Sequence, residues 1–323
     1  ALLDRHADEA CALILEPRVQ CAGGMRMHDP AYLARARELC DAHGVFLICD
    51  EIAVGFGRTG TLFASAQSGV QPDLLCLSKG LTGGALPLAA VLATQSIYDG
   101  FLDSSREKAF LHSHSYTGNP LACAAALASM AILEQDDVIL RNRATAERMA
   151  RLPAPFADHP HVADVRQAGM IVAFELTQGG DKRTPFDASA RIGLRAYRAA
   201  LERGVLLRPL GDVLYWMPPY CVDDDALALL ATTTRDAIDH AIEEAACACP
   251  ASTSTSRWAS AALSRCPKAP RRIWCACCDW ASAMRACCST ATATITPRGS
   301  RCRPSASCAC RSSRRTRYRG NLR

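Results

Sequence analysis

Lysine is scarce in this chain of 323 residues: only Lys79, Lys108, Lys182 and Lys268 are present. Lys108 and Lys182 sit among charged neighbours, in SREK and GGDKR, where a solvated surface role suffices. Lys79 is different, because it ends the apolar run LLCLS and directly precedes GLTGG. A primary amine placed there can attack a carbonyl or take a proton. Asp50 ends another apolar run, VFLIC, with a carboxylate that is costly to bury unless a cation pairs with it. Ligands of open α/β sheets bind outside the carboxyl ends of strands, so this acid and this lysine can face one cleft.

Two readings of the pair stand open on residue types alone. One is a lysine that condenses with pyridoxal phosphate, with the acid keeping the pyridine nitrogen protonated so that the ring draws electrons. The other is a structural ion pair at the sheet edge. The run GFGRTG, with Gly55, Gly57 and Gly60, also matches the G-x-G-x-x-G pattern of dinucleotide sites. Its context is wrong for that use, because an acid already stands at the strand end and no long helix is expected to open at the third glycine. Tight turns and close backbone approach beside a ligand explain these glycines more simply.

The elements that would carry these residues alternate. CALILEP has strand length; Asp29 can cap and Pro30 can open a helix through YLARARELCDAH, which Gly44 ends before VFLIC. DLLCLS and PLAAVLAT follow as further strands, and Asn119-Pro120 starts the Ala-rich helix LACAAALASMAIL. This predicts an α/β fold with a mostly buried sheet. Beyond about residue 150, the strand-like pieces ADVRQAG, MIVAFEL, VLLRPL and VLYWMPP alternate with helices near 188–203 and 223–245, which predicts a smaller α+β domain.

Composition divides the chain. Residues 247–323 hold 15 Lys and Arg against a single acid, Asp279, whereas the first 246 residues hold 22 bases and 31 acids. Eleven of the 18 cysteines also lie after residue 246; the other seven (Cys11, Cys21, Cys40, Cys49, Cys76, Cys123, Cys221) read as reduced core thiols. The tail has no apolar periodicity and is read as an unstructured, frameshifted translation. An Arg-rich nucleic-acid arm would carry lysines and interleaved glycines, and zinc ligation by Cys275, Cys278 and Cys287 or Cys288 lacks a second CxxC pair. Neither nucleic acid nor metal is therefore expected as a partner. No apolar run of about 18 residues occurs, which argues against a membrane span, and the acid-containing start ALLDRHADEA is unlike a secretory signal. A cytoplasmic location is expected, and the missing initiator Met is read as an N-terminal truncation.

The segments ILEPRVQCAGGMRMHDPAYL, LICDEIAVGFGRTG, PDLLCLSKGLTGGALPLAAVLAT, HSHSYTGNPLACAAALA and LLRPLGDVLYWMPPY resemble the class III pyridoxal-phosphate aminotransferases from about Ala10 to about Ala246. DEI, GFGRTG and SKG are signals of the whole class. GGMRMHDP, LTGGALPLAA and RPLGDVLYWMPPY favour its biotin-pathway branch over ornithine or other ω-aminotransferases. The resemblance implies a fold-type I large domain, present in part over residues 1–137, and a small α+β C-terminal domain over 138–246.

By the same resemblance, Lys79 would bond to the cofactor aldehyde and then shuttle a proton. Asp50 would bind the pyridine nitrogen and Ile52 would pack on a ring face. Ser115 would place its hydroxyl on the phosphate held by a partner subunit, which implies a homodimer. His112 and His114 beside it read as packing or loop hydrogen-bonding residues. Arg208 would receive the substrate carboxylate, where a guanidinium can bind both oxygens. Tyr215 would bind substrate, although on residue type alone it reads as a core aromatic. Glu16 and Arg58 match charged positions lining the site. The implied reaction moves an amino group from S-adenosylmethionine to 8-amino-7-oxononanoate, giving 7,8-diaminononanoate. Against the pattern, the Gly-Ser phosphate loop and the aromatic that stacks on the cofactor are absent, so the alternatives are an inactive remnant or another class III ω-aminotransferase.

Overall fold

The computed structural model describes residues 2–180 and 184–247. The reading of the tail, including its zinc and nucleic-acid alternatives, lies outside these residues. All of them belong to one unit, Ala1–Ala276.

A short helix α1 (Leu2–His6) precedes strand β1 (Ala12–Leu15), and β2 (Val19–Gln20) pairs with β3 (Arg26–Met27) as a small antiparallel ribbon. Helix α2 (Pro30–His43) starts where Asp29 accepts the Ala31 amide and Pro30 supplies a preset φ; it stops where Gly44 turns left-handed at φ 66°. Strands β4 (Phe46–Asp50), β5 (Leu74–Leu77) and β6 (Ala90–Ala93) then complete the first sheet, in the order β1-β4-β5-β6. The pairs β1/β4 and β4/β5 are parallel and β5/β6 is antiparallel.

One face of this sheet is sealed. Leu33 and Cys40 of α2 pack on Leu47 and Cys49 of β4 and on Leu13 and Leu15 of β1. The sheet is less buried than its apolar runs predict, since Ile14, Phe46, Val91 and Leu92 remain well exposed. Side chains alternate along a strand, so covering one face of β1 and β4 with α2 leaves Ile14 and Phe46 facing outward, while the adjacent Val91 and Leu92 leave edge strand β6 exposed on both faces.

Helix α3 (Gln95–Asp99) and an exposed loop lead to helix α4 (Pro120–Gln135), whose Asn119 cap accepts the Leu121 amide as the Asn-Pro signal predicts. Helices α5 (Val138–Met149) and α6 (Ala154–Ala157) lead to the second sheet, built from β7 (Val162–Ala168), β8 (Ile171–Leu176), β9 (Arg208–Leu210) and β10 (Val213–Trp216) in the order β7-β8-β10-β9, all antiparallel. Helices α7 (Ile192–Glu202) and α8 (Asp224–Cys247) cover one face.

Strand β8 is apolar on both faces because both are covered. Val172, Phe174 and Leu176 meet α7 and α8, together with Phe156 and Trp216, while Ile171 and Ala173 turn toward Val19, Met25, Val54 and Ala64. That second cluster joins the two halves of the described chain. The buried Trp216 ring nitrogen is satisfied by the Thr234 hydroxyl at 2.8 Å. Among the described residues, no helix is long and apolar enough to cross a membrane.

Candidate active site

Asp50 is the last residue of β4 and stands in register with Cys76 of β5; Lys79 follows three residues later, past the end of β5. The acid and the amine therefore leave the carboxyl ends of two neighbouring parallel strands, as their sequence positions predict. Asp50 turns back on its own chain, and its Oδ1 accepts the Ile52 amide at 3.0 Å.

Lys79 has a φ of 41°, a left-handed conformation that costs a residue with a β-carbon on the order of 1 kcal/mol. Its neighbours hold it there. Ser78 donates to Leu88 O at 2.7 Å, Leu81 N–H reaches Ser78 O at 2.9 Å, and Ser129 of α4 donates to Gly80 O at 3.1 Å. Gly80 is required by close approach, because a β-carbon at that position would lie 2.8 Å from Phe56 Cβ. Phe56 belongs to GFGRTG, so this motif packs directly against the lysine turn. No long helix opens at Gly60; the chain passes through turns into a 3-10 turn at Ala64–Ser68, which disposes of the dinucleotide pattern.

Glu51, one residue beyond Asp50, is fully buried. Its two carboxylate oxygens accept the Ala64 and Ser65 amides at 2.8 and 2.7 Å, which closes the GFGRTG loop onto the end of β4. Burial pushes the Glu51 carboxyl above its ordinary range, and the Ser65 and Ala64 amides work against that rise.

Glu16 and Asp50 line one cleft of about 490 Å³ with Gln20, Arg26, His28 and Tyr32. Glu16 accepts the Cys21 amide at 3.0 Å, and the charges of Glu16, Lys79 and Asp50 all act on the Cys21 thiol. Burial, then Glu16, pushes that thiol up to about 12, so it is a neutral S–H group in neutral solution. Cys21 thus adjoins a cleft-lining carboxylate, a placement that its position in the sequence does not announce. Of the other cysteines expected in the core, Cys40 and Cys49 are buried there, whereas Cys11 and Cys221 depart from the expectation: they are exposed, in the turns beside β1 and after β10.

The remaining candidates are more dispersed. Arg58 donates to Pro218 O at 2.6 Å and stacks on Tyr220. Arg208 and Tyr215 stand opposite each other in the β9/β10 register; Arg208 is exposed, while Tyr215 is buried in the cluster with Val19 and Met25. Ser115 lies in a wholly exposed loop in which the Tyr116 amide donates to His114 Nδ1 at 3.1 Å, a loop role for that histidine, while His112 lies beside the Phe110 ring.

A family model described as aminotransferase class-III matches residues 1–238, and the chain belongs to that family. It is 49% identical over 238 residues to adenosylmethionine-8-amino-7-oxononanoate aminotransferase from Nitratidesulfovibrio vulgaris, covering 73% of this chain and 44% of that protein. The enzyme of the same name from Geobacter sulfurreducens is 44% identical over 230 residues, covering 71% and 51%. The crystal structure of the Methanocaldococcus jannaschii enzyme of that name superposes with a TM-score of 0.71 at 35% identity, over 74% of this chain and 56% of that one. An amine transaminase from an uncultivated Pseudomonas species, solved in its PLP-bound form, gives 0.69 at 35% identity over 76% and 55%. The fold is that of the fold-type I transaminases, and the chain spans about half the length of the curated relatives it matches.

Proposed function

We propose that this chain carries the lysine-bearing part of a pyridoxal-phosphate aminotransferase that moves an amino group from S-adenosylmethionine to 8-amino-7-oxononanoate. The observation that carries the reading is the strained Lys79 turn one strand away from Asp50. The donor set fits the cofactor: an amine that can condense with an aldehyde, and a carboxylate that can hold a proton on a ring nitrogen. Bound there, pyridoxal phosphate supplies an electron sink for negative charge developing on the adjacent carbon.

The chain's own residues supply binding and proton handling. Asp50 keeps the ring nitrogen protonated, and Ile52, whose amide ties Asp50 down, offers an apolar side chain for a ring face. Lys79 Nζ would hold the aldehyde and would take and return a proton at that amine. Arg208, Tyr215, Arg58 and Glu16 serve the substrates, with Arg208 receiving a carboxylate in its planar fork. Ser115, on an exposed loop flanked by exposed Phe110, Leu111 and Tyr116, serves the phosphate site of a second copy, so the working unit is a homodimer. Residues 1–137 form the C-terminal part of the large domain and residues 138–246 the small domain, and the enzyme works in the cytoplasm.

The test is spectroscopic. The full chain mixed with pyridoxal phosphate should develop an imine absorbance that Lys79→Ala abolishes; unchanged cofactor absorbance in that variant would reject the reading.

A further inference from the structure

We propose that Arg166 is a positioning residue for the cleft: it clamps the turn between β2 and β3 so that Cys21 stays folded onto Glu16. The inference rests on the aminotransferase reading for what the cleft binds, and on geometry for the clamp itself.

Arg166 lies on β7, far from the cleft in sequence. Its Nε donates to Met25 O at 2.8 Å and its Nη2 to Gly24 O at 2.7 Å, so the planar fork holds two successive carbonyls of the turn. Its Nη1 is held by Asp164 at 2.7 Å and Glu175 at 2.8 Å, which fixes the guanidinium from behind and balances its charge. The side chain is only 15% exposed. A lysine cannot reproduce this, because an ammonium group has no fork.

The turn needs a clamp. Met25 is buried and has a φ of 53°, after Gly24 at 93°. A left-handed Met persists only where its surroundings over-determine it. Met25 N–H bonds Cys21 O at 3.1 Å, and the Cys21 amide bonds Glu16 Oε2 at 3.0 Å. The chain of contacts therefore runs from Arg166 through Met25 and Cys21 to a carboxylate in the cleft, and Gln20 and Arg26, which flank the turn, line the same cleft.

Cysteine alkylation reads the clamp without any cofactor. Cys21 is half-buried, Cys40 and Cys49 are buried, and Cys11 and Cys221 are exposed, so the full chain carries its own reference thiols. In Arg166→Lys, the rate at which an uncharged alkylating reagent labels Cys21, measured by peptide mass spectrometry relative to Cys221, should rise about tenfold, with Cys40 and Cys49 still protected. With pyridoxal phosphate bound, KM for the amino acceptor should rise about tenfold while kcat stays within about twofold. An unchanged Cys21 ratio in a folded variant overturns the proposal, as does equal unmasking of Cys21, Cys40 and Cys49, which marks general destabilisation. A faster Cys21 with an unchanged KM overturns the positioning role. If Arg166→Lys does not fold, Glu175→Gln decides, since it removes one half-exposed carboxylate that aims the fork; Cys21 labelling should rise about threefold, and no rise overturns the proposal. Failure of the aminotransferase reading shows separately, as absence of an imine absorbance in the unaltered chain.

Discussion

The guanidinium carbon of Arg58 lies 4.3 Å from the centre of the Tyr220 ring, while the Tyr220 hydroxyl donates to Phe56 O at 2.9 Å. These two residues, 162 positions apart in the sequence, fasten the GFGRTG loop to the segment after β10. Burial raises the Tyr220 phenol, and the neighbouring Arg58 charge opposes the rise. Tyr220→Phe keeps the stacking and loses the hydrogen bond, so it should cost about 1 kcal/mol in urea unfolding; Tyr220→Leu loses both and should cost about 2 kcal/mol. Equal stability of all three proteins would show that the fastening has no energetic weight.

Glu51→Gln should destabilise the chain by about 2 kcal/mol at neutral pH, because an amide offers one acceptor oxygen to two buried backbone donors. The pH dependence has a definite sign. Burial raises the folded carboxyl above its ordinary 4.5, so the folded state binds the proton more tightly than the unfolded state. This group alone therefore favours folding below 4.5 and loses that contribution as pH rises through the raised value. Unfolding free energies collected from pH 4 to 7 should show that slope in the native sequence and not in Glu51→Gln.

Gly169, in the turn between β7 and β8, has a φ of 57°, and a β-carbon there would lie 2.5 Å from Thr59 Cα and 2.6 Å from Arg58 O. The obstruction is backbone, which cannot rotate aside. Gly169→Ala should cost about 3 kcal/mol and separate β7 from the GFGRTG loop. A melting temperature within a degree of the native value would contradict this contact.

Mixing tests the homodimer. Lys79→Ala and Ser115→Ala chains should each be inactive or strongly impaired alone. Unfolded and refolded together, they should recover about a quarter of native activity, since a mixed dimer assembles one site with both native residues. No recovery would mean that Ser115 acts within its own chain or not at all.

Much of this architecture is legible in the sequence. Asp29-Pro30, Gly44 and Asn119-Pro120 are local signals, and each sets the helix end it announces. Asp50 and Lys79 are readable because a charged residue closing an apolar strand is locally conspicuous. What stayed hidden depends on distant pairing. Arg166 reaches Met25 across 141 positions, and Arg58 reaches Pro218 across 160, so neither partner can be inferred from spacing. Cys21 reads as an apolar filler until β2 and β3 pair and fold it toward Glu16. The exposed residues of the first sheet are illegible for a related reason: apolar runs report what a strand can bury and say nothing of which element covers it.

Borohydride reduction of the full chain with pyridoxal phosphate, followed by peptide mapping, tests the central claim most directly. A single pyridoxyl adduct is expected on Lys79, suppressed when Asp50 is changed to Ala. A stable adduct on Lys108, Lys182 or Lys268 with Lys79 unmodified, or no adduct at all, would contradict it.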